Sequence, residues 1–297
     1  MKRVPGIFSD YLVIWNVSCA YHLDTFMNTD LKLLSVVIPA RDEAPCIAKA
    51  VENLHLELDL NRVPHEIVVV DDGSIDRTWN ILEDLSRENP SLHLIRNDGV
   101  RGFGAAVIKG IDFARGDAVV IMTADESDDP RDVVRYWKLL VQGWDCVFGS
   151  RFIEGGIAIG YPWLRLIKNR LGNLVLRKAI GIKFNDTTNP FKAYRKTAID
   201  GCRPFMSPHF DFTVELPLKA ILRGFSCAVI PVTWCKRRTG KDKHKVRKMR
   251  SHYRHILHYV WLEKYFGRYN RRKLPEAKAS ADEPLNSASQ ETQSIQS

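Results

Sequence analysis

Long apolar runs are what this 297-residue chain most visibly lacks. No stretch approaches the roughly 20 uninterrupted apolar residues that a membrane-spanning helix needs. The two best stretches, 11–20 and 171–182, are too short, and Arg177 and Lys178 break the second. Lys2 and Arg3 ahead of residues 7–20 imitate a signal peptide, but Asp10 and Asn16 sit in its would-be apolar core. Residues 1–31 therefore read as an N-terminal extension, with Met27 as an alternative start. Paired cysteines are missing too. The six present (Cys19, Cys46, Cys146, Cys202, Cys227 and Cys235) show no C-x-x-C spacing. That excludes a zinc ribbon or disulfide scaffold and favours a reducing compartment. Internal repeats are absent. A content of 45% hydrophobic and 27% charged residues excludes a wholly disordered or collagen-like chain.

What is present is unevenly spread. The formal net charge is +9, and the segment from Lys236 to Arg254 alone nets that value, with ten Lys/Arg against Asp242. A local cluster of this kind suits a polyanion, a phosphate group or an anionic membrane at one edge of the molecule. Within it, Val246, Met249, Tyr253, Ile256, Leu257, Val260 and Trp261 recur at helical spacing. Residues 236–268 thus read as a basic amphipathic segment, either membrane-facing or packed on the domain with a solvated basic face. Residues 269–297, rich in Ser, Gln, Glu and Ala without periodicity, read as a disordered tail.

Between these ends, short β-branched runs alternate with helical patterns. Strands are expected at 34–38, 65–70, 91–95, 117–122 and 146–148, with helices at 43–58, 78–87, 104–114 and from 131. Asp76 is a candidate cap for the second helix. The later half should hold helices at 163–180 and 213–222, strands at 191–194 and 226–232, and a kink or early helix turn at Pro217. Such alternation means βαβ units: an α/β fold with a mostly parallel sheet covered by helices on both faces. In such sheets ligands bind beyond the carboxyl ends of the strands, and every polar cluster worth notice lies at such an end.

Four clusters stand out. Pro39-Ala40-Arg41-Asp42-Glu43 follows the first strand, and Arg41 and Glu43 can reach a ligand there or simply start a helix. Asp71-Asp72-Gly73-Ser74 follows the second strand and suits a base or ribose, or an Asx-turn with a cap. Gly99-Val100-Arg101-Gly102-Phe103-Gly104 has the wrong spacing and place for a dinucleotide fingerprint, leaving a diphosphate cradle or a flexible turn. Thr123-Ala124-Asp125-Glu126-Ser127-Asp128-Asp129-Pro130 puts four acids in eight residues after a buried strand, which suits a hard divalent cation, or a solvated acidic turn. Asp129, before Pro130, reads as a helix cap and stays outside the site.

In combination these pieces resemble the family 2 glycosyltransferases of the GT-A (nucleotide-diphospho-sugar transferase) fold. Gly149-Ser150-Arg151-Phe152, Asn169-Arg170, Asn189-Pro190-Phe191-Lys192-Ala193-Tyr194 and Arg237-Arg238-Thr239-Gly240 resemble its dolichyl-phosphate mannose synthase branch. The likeness covers about residues 32–262, with the GT-A domain itself at 32–235. It implies an inverting, metal-dependent transfer of a sugar from GDP-mannose or a UDP-sugar to a polyprenyl (dolichyl or undecaprenyl) phosphate. Pro39, Arg41, Glu43, Asp71 and Asp72 would line the nucleotide pocket. Asp125 and Ser127 would hold Mg²⁺ or Mn²⁺. Asp125, Arg151 and Arg237 would serve catalysis, and Arg170 and Lys192 would meet donor or acceptor phosphate. The family usually carries Asp where this chain has Thr123, so metal preference is open, with Ser127 or Asp128 as compensating donors.

A phosphate monoester acceptor is already ionised, with a second pKa of about 6, so it needs no strict general base. A hydroxyl acceptor would, and His209, Asp211 and Glu215 are its candidates unless they only cap a helix. A nucleic-acid-binding protein would explain the basic cluster but leave the strand-end acids without a role, and a sugar-nucleotide-binding regulator would explain Thr123. The expected partners are a nucleotide-diphosphate sugar, a polyprenyl phosphate and a membrane surface, with room for an integral membrane partner and none for nucleic acid. The expected location is peripheral, on the cytoplasmic face of a membrane.

Overall fold

The computed structural model describes residues 13–15 and 31–237. The basic segment beyond Arg237, the C-terminal tail and most of the N-terminal extension lie outside them. The described part is an α/β unit built on one eight-stranded sheet. Its strands are β1 (Val13–Trp15), β2 (Leu34–Ala40), β3 (His65–Asp71), β4 (Leu92–Arg96), β5 (Ala118–Ile121), β6 (Cys146–Ser150), β8 (Lys192–Arg195) and β9 (Cys227–Pro231), while β7 (Ile157–Ile159) and β10 (Thr233–Cys235) form a separate parallel ribbon. The sheet order is β1-β9-β6-β8-β5-β2-β3-β4. Strand β8 runs antiparallel between β5 and β6, and β1 pairs antiparallel with β9; the remaining neighbours are parallel. The N-terminal extension thus contributes an edge strand.

Residues of the central strands alternate between two cores, as the period of two demands. Val36, Ile38, Ile67, Val69 and Val120 face α1 (Ile47–Leu60), α2 (Thr78–Glu88) and α4 (Pro130–Val141). Val37, Val68, Val70, Val119 and Ile121 face α3 (Phe103–Phe113) and α7 (Phe212–Leu222). Each fully buried Val, Leu or Ile contributes roughly 1.5–3 kcal/mol against exposure, so burial on both faces drives the layering. Close packing of α3 depends on Gly110, where an added Cβ would stand 2.5 Å from a methyl of Val37.

Helix α5 (Trp163–Ile180) behaves differently. Leu176 and Ile180 pack against Val214 and Leu218 of α7, and Gly181 ends the helix in the left-handed conformation, φ 75°. The rest of its apolar surface points outward. No described helix is long and apolar enough to cross a membrane.

Pro217 lies inside α7 without ending it. Proline has no N–H to donate to the carbonyl four residues back, which is Thr213. The buried ammonium of Lys192 donates to that carbonyl instead, at 3.3 Å.

Candidate active site

The carboxyl ends of β2, β3 and β5 converge, and the loops that follow them bring the first, second and fourth clusters together. After β2 the chain turns through Asp42, φ 48°. Its backbone N–H donates to Ser74 Oγ at 2.9 Å, and its carboxylate accepts from the Ile75 N–H at 2.8 Å. These bonds lock the β2 and β3 loops to each other. Asp71 accepts from the Ser74 N–H at 3.2 Å. Asp72 accepts from Asn97 Nδ2 at 2.7 Å and from the Gly102 N–H at 3.0 Å, and Arg41 lies 3.8 Å from it. Asp76 accepts from the Thr78 N–H at 2.9 Å at the head of α2, although the cap position itself falls to Arg77, one residue later than expected.

The glycine loop serves the protein itself. An added Cβ at Gly102 would meet the Pro208 carbonyl at 2.4 Å, and one at Gly104 the Ser207 carbonyl at 2.2 Å. The Gly104 and Ala105 N–H groups at the start of α3 donate to the carbonyls of His209 and Pro208 at 3.1 and 2.9 Å. Two donors at the start of α3 are thus taken up by residues 208 and 209, and the Gly102 N–H by Asp72.

The β5 turn is a nest of oxygens. Ser127 Oγ donates to Asp125 Oδ1 at 2.6 Å. The Thr123 hydroxyl lies 2.9 Å from the same oxygen, 2.6 Å from Asp128 Oδ2 and 3.1 Å from Ser127 Oγ. Glu126 takes a left-handed backbone, φ 57°, and pairs outward with Lys49 at 2.8 Å. Asp128 is buried beneath the turn. Burial, reinforced by the charge of Asp125, pushes its carboxyl up to about 7, against the bonds from Thr123. Asp129 caps α4 by accepting from the Arg131 N–H at 3.0 Å. Asp125, Ser127 and Thr123 offer only hard oxygen donors, the set that fits Mg²⁺ or Mn²⁺. Asp128 lies one hydrogen bond behind the Thr123 hydroxyl, at 2.6 Å.

The cations divide into two groups. Arg237, just past β10, reaches Glu43 across the loops, and Glu43 outweighs partial burial in holding its charge. Arg170 lies on the exposed side of α5, its guanidinium 5.0 Å from the ring centre of Phe152. Arg151 and Lys192, expected at phosphates, are interior instead. Arg151 makes a two-bond pair with Asp186 at 2.8 and 2.7 Å, ringed by Phe152, Tyr161 and Trp234 at 5.2, 5.3 and 5.9 Å. Burial opposes its charge and Asp186 more than offsets that, so it stays protonated. Lys192 Nζ donates to the Thr187 carbonyl at 3.0 Å, to Thr213 and to Asn189. Burial draws it down to about 7. Lys192 stands inside the fold with its ammonium bonded to three buried carbonyls, whereas Arg151 gives Asp186 its Nε and Nη2 and has no partner for Nη1 among the described residues. Asp186 was missed in the sequence because it lies far from any strand-end acid.

The hydroxyl-acceptor bases also separate. Glu215 is fully buried, accepting from the Ser207 N–H at 2.8 Å and from Lys219 at 2.6 Å. Asp211 starts α7, and its buried Oδ1 has no hydrogen-bond partner among the described residues.

Comparison with known proteins decides the family. The Glycosyl transferase family 2 model matches residues 35–202, more than half of the chain. The chain belongs to glycosyltransferase family 2. This glycosyltransferase is 32% identical over 203 residues to a polyprenol monophosphomannose synthase of Mycolicibacterium smegmatis, covering 65% of the chain and 77% of that relative. It is 31% identical over 230 residues to a dolichol-phosphate mannosyltransferase of Pyrococcus furiosus, covering 75% of the chain and 62% of the relative. Glucosyl-3-phosphoglycerate synthase from Mycobacterium tuberculosis, solved with Mn²⁺, UDP-glucose and phosphoglyceric acid, superposes with a TM-score of 0.60 at 17% identity, over 77% of this chain and 80% of that one. That likeness establishes the GT-A fold of the glycosyltransferase.

Proposed function

We propose that this glycosyltransferase moves a sugar from a nucleotide-diphosphate donor to a polyprenyl phosphate at a membrane surface. The relatives named above carry polyprenol and dolichol acceptors in their names, which supports the acceptor class. The observation that carries the reading within the chain is α5. Trp163, Leu164, Ile167, Leu171, Leu174 and Val175 are 44–67% exposed on it. The helix has no acidic residue and holds Lys168, Arg170, Arg177 and Lys178. An apolar face edged only by cations suits anionic headgroups above and acyl chains below. Two further exposed side chains, Ile157 and Ile159 of β7, extend the apolar surface.

Asp71, held by the Ser74 N–H, and Asp72, held by Asn97 and the Gly102 N–H, orient the nucleoside. Asp125, Ser127 and Thr123 would hold a divalent cation, which when bound offsets the charge of the leaving diphosphate. Arg170 draws the acceptor phosphate from the α5 side toward the site, and the Arg151–Asp186 pair keeps the Phe152 ring beneath that guanidinium. An acceptor oxygen then attacks the anomeric carbon from the face opposite the diphosphate. The carbon–oxygen bond to the leaving group breaks, and the sugar is inverted without a covalent enzyme intermediate. The acceptor arrives ionised, so no side chain must remove its proton. Donor base and sugar remain for a screen across GDP- and UDP-sugars, and the cytoplasmic membrane face follows from where such donors occur.

A second reading has one observation in its favour. The unpartnered buried oxygen of Asp211 suits a general base for a hydroxyl acceptor. A single assay separates the two. Labelled nucleotide sugar, Mg²⁺ or Mn²⁺ and polyprenyl phosphate should yield label in the organic phase. Label appearing only in a water-soluble hydroxyl acceptor, and lost in Asp211→Asn, would favour the second.

A further inference from the structure

We propose that His55, Asp59 and His65 form a second metal site, one for a borderline divalent ion of the Zn²⁺ class, at the end of the sheet remote from the sugar-transfer loops. His55 and Asp59 are one turn apart on the last half of α1, so they share a face. His65 opens β3, directly after the tight connection 61–64. Ligand atoms of all three lie within 4.8 Å of one another. The site sits at the amino end of β3 while Asp71 ends it, a separation of roughly 20 Å along a seven-residue strand.

Three observations on orientation favour a metal over a chance meeting of side chains. His65 Nδ1 lies 2.8 Å from the Val63 carbonyl, which can only accept, so the proton is on Nδ1 and the Nε2 lone pair is presented. A backbone carbonyl fixing the tautomer in this way is the usual support for a metal-binding imidazole. That lone pair meets His55 Nδ1 at 2.9 Å, a hydrogen-bond distance, and the two rings would part by roughly half an ångström to seat a tetrahedral ion at about 2.0 Å from each nitrogen. His55 Nε2 in turn lies 3.5 Å from Asp59 Oδ2. In the metal-free protein a single proton between the imidazoles holds the pair. A metal would displace it; the proton moves to His55 Nε2, facing Asp59, or to solvent.

The frame is rigid before any ion arrives. The Val63 N–H donates to the Leu58 carbonyl and the Arg62 N–H to Asp59, at 2.9 Å each, and Arg62 holds a left-handed φ of 53°. Two imidazoles and a carboxylate suit Zn²⁺, Ni²⁺ or Co²⁺ and not Mg²⁺, which prefers oxygen alone. A bound ion would tie α1 to β3 and stabilise the fold without entering the sugar-transfer chemistry.

The test uses the full-length protein and Co²⁺ as probe, with Mg²⁺ in large excess to occupy the oxygen donors around Asp125. Visible absorption should report one Co²⁺ per chain with nitrogen and oxygen ligation and no sulfur charge-transfer band. His55→Ala, at a partly exposed position, should weaken binding at least tenfold, and Asp59→Asn should weaken it by about tenfold. Zn²⁺ should raise the melting temperature of the wild type and not of His55→Ala. Absence of Co²⁺ binding under Mg²⁺, or binding unchanged in both variants, overturns the proposal. Neither outcome touches the sugar-transfer reading, which is tested by label transfer.

Discussion

Helices α4 and α5 carry comparable apolar residues and opposite fates. On α4, Val133, Val134, Tyr136, Trp137 and Leu140 are buried against the sheet and α1. On α5, only Leu176 and Ile180 among the large apolar residues are buried, while six others stand in solvent. Amphipathic patterning announces that a face will be covered and is silent about what covers it. In α4 the cover is the protein's own sheet. In α5 the protein offers none among the described residues, and the proposed cover is a membrane surface. The flanking chemistry sharpens the contrast: α4 carries Asp132 in its first turn, whereas α5 carries cations alone.

A charge placed on each helix should separate them most sharply. Val133→Asp buries an unpaired carboxylate and should cost more than about 4 kcal/mol, leaving little folded protein in urea titration. Leu171→Asp should shift stability by no more than about 0.5 kcal/mol, because that side chain is already in water. Equal destabilisation by the two would mean that α5 is packed like α4.

The two interior cations offer a second contrast with the exposed one. Lys192→Ala strands the carbonyls of Thr187 and Thr213, each costing about 1–3 kcal/mol. Arg170→Ala should leave the melting temperature unchanged and lower kcat/KM for a phosphate acceptor by tenfold or more. Thermal melts beside acceptor kinetics decide both.

Most of the framework was legible in the sequence because burial on both faces leaves β-branched runs of the right length. The helix at 163–180 and the cap at Asp129 were also readable from spacing and from Pro130. The antiparallel course of β8 was not, since direction depends on neighbours far away in the chain. The same limit applies to Arg151 and Lys192. Their residue type and motif pointed to phosphate, but Asp186 and the carbonyl freed by Pro217 are contacts that only the folded chain reveals. The glycine loop reads as either a diphosphate cradle or a turn for a related reason: glycine announces a close approach, and only the fold shows the 207–209 backbone making it.

A smaller effect is expected from pH. The folded carboxyl of Asp128, near 7, lies above its ordinary value of 3.8, so folding favours its protonated form. That contribution is full below about pH 4 and is lost as pH rises through about 7. Melting temperatures in chelator should therefore fall between about pH 4 and 7. Asp128→Asn should flatten that fall. A slope unchanged in the variant would assign it to other groups.

The central claim is that the outward face of α5 meets the membrane that holds the acceptor. Leu171→Glu/Leu174→Glu tests it most directly when each enzyme is assayed with polyprenyl phosphate in anionic vesicles and with a short, water-soluble prenyl phosphate. The account predicts transfer reduced tenfold or more in vesicles and unchanged with the soluble acceptor. Equal rates for variant and wild type in both assays would contradict it.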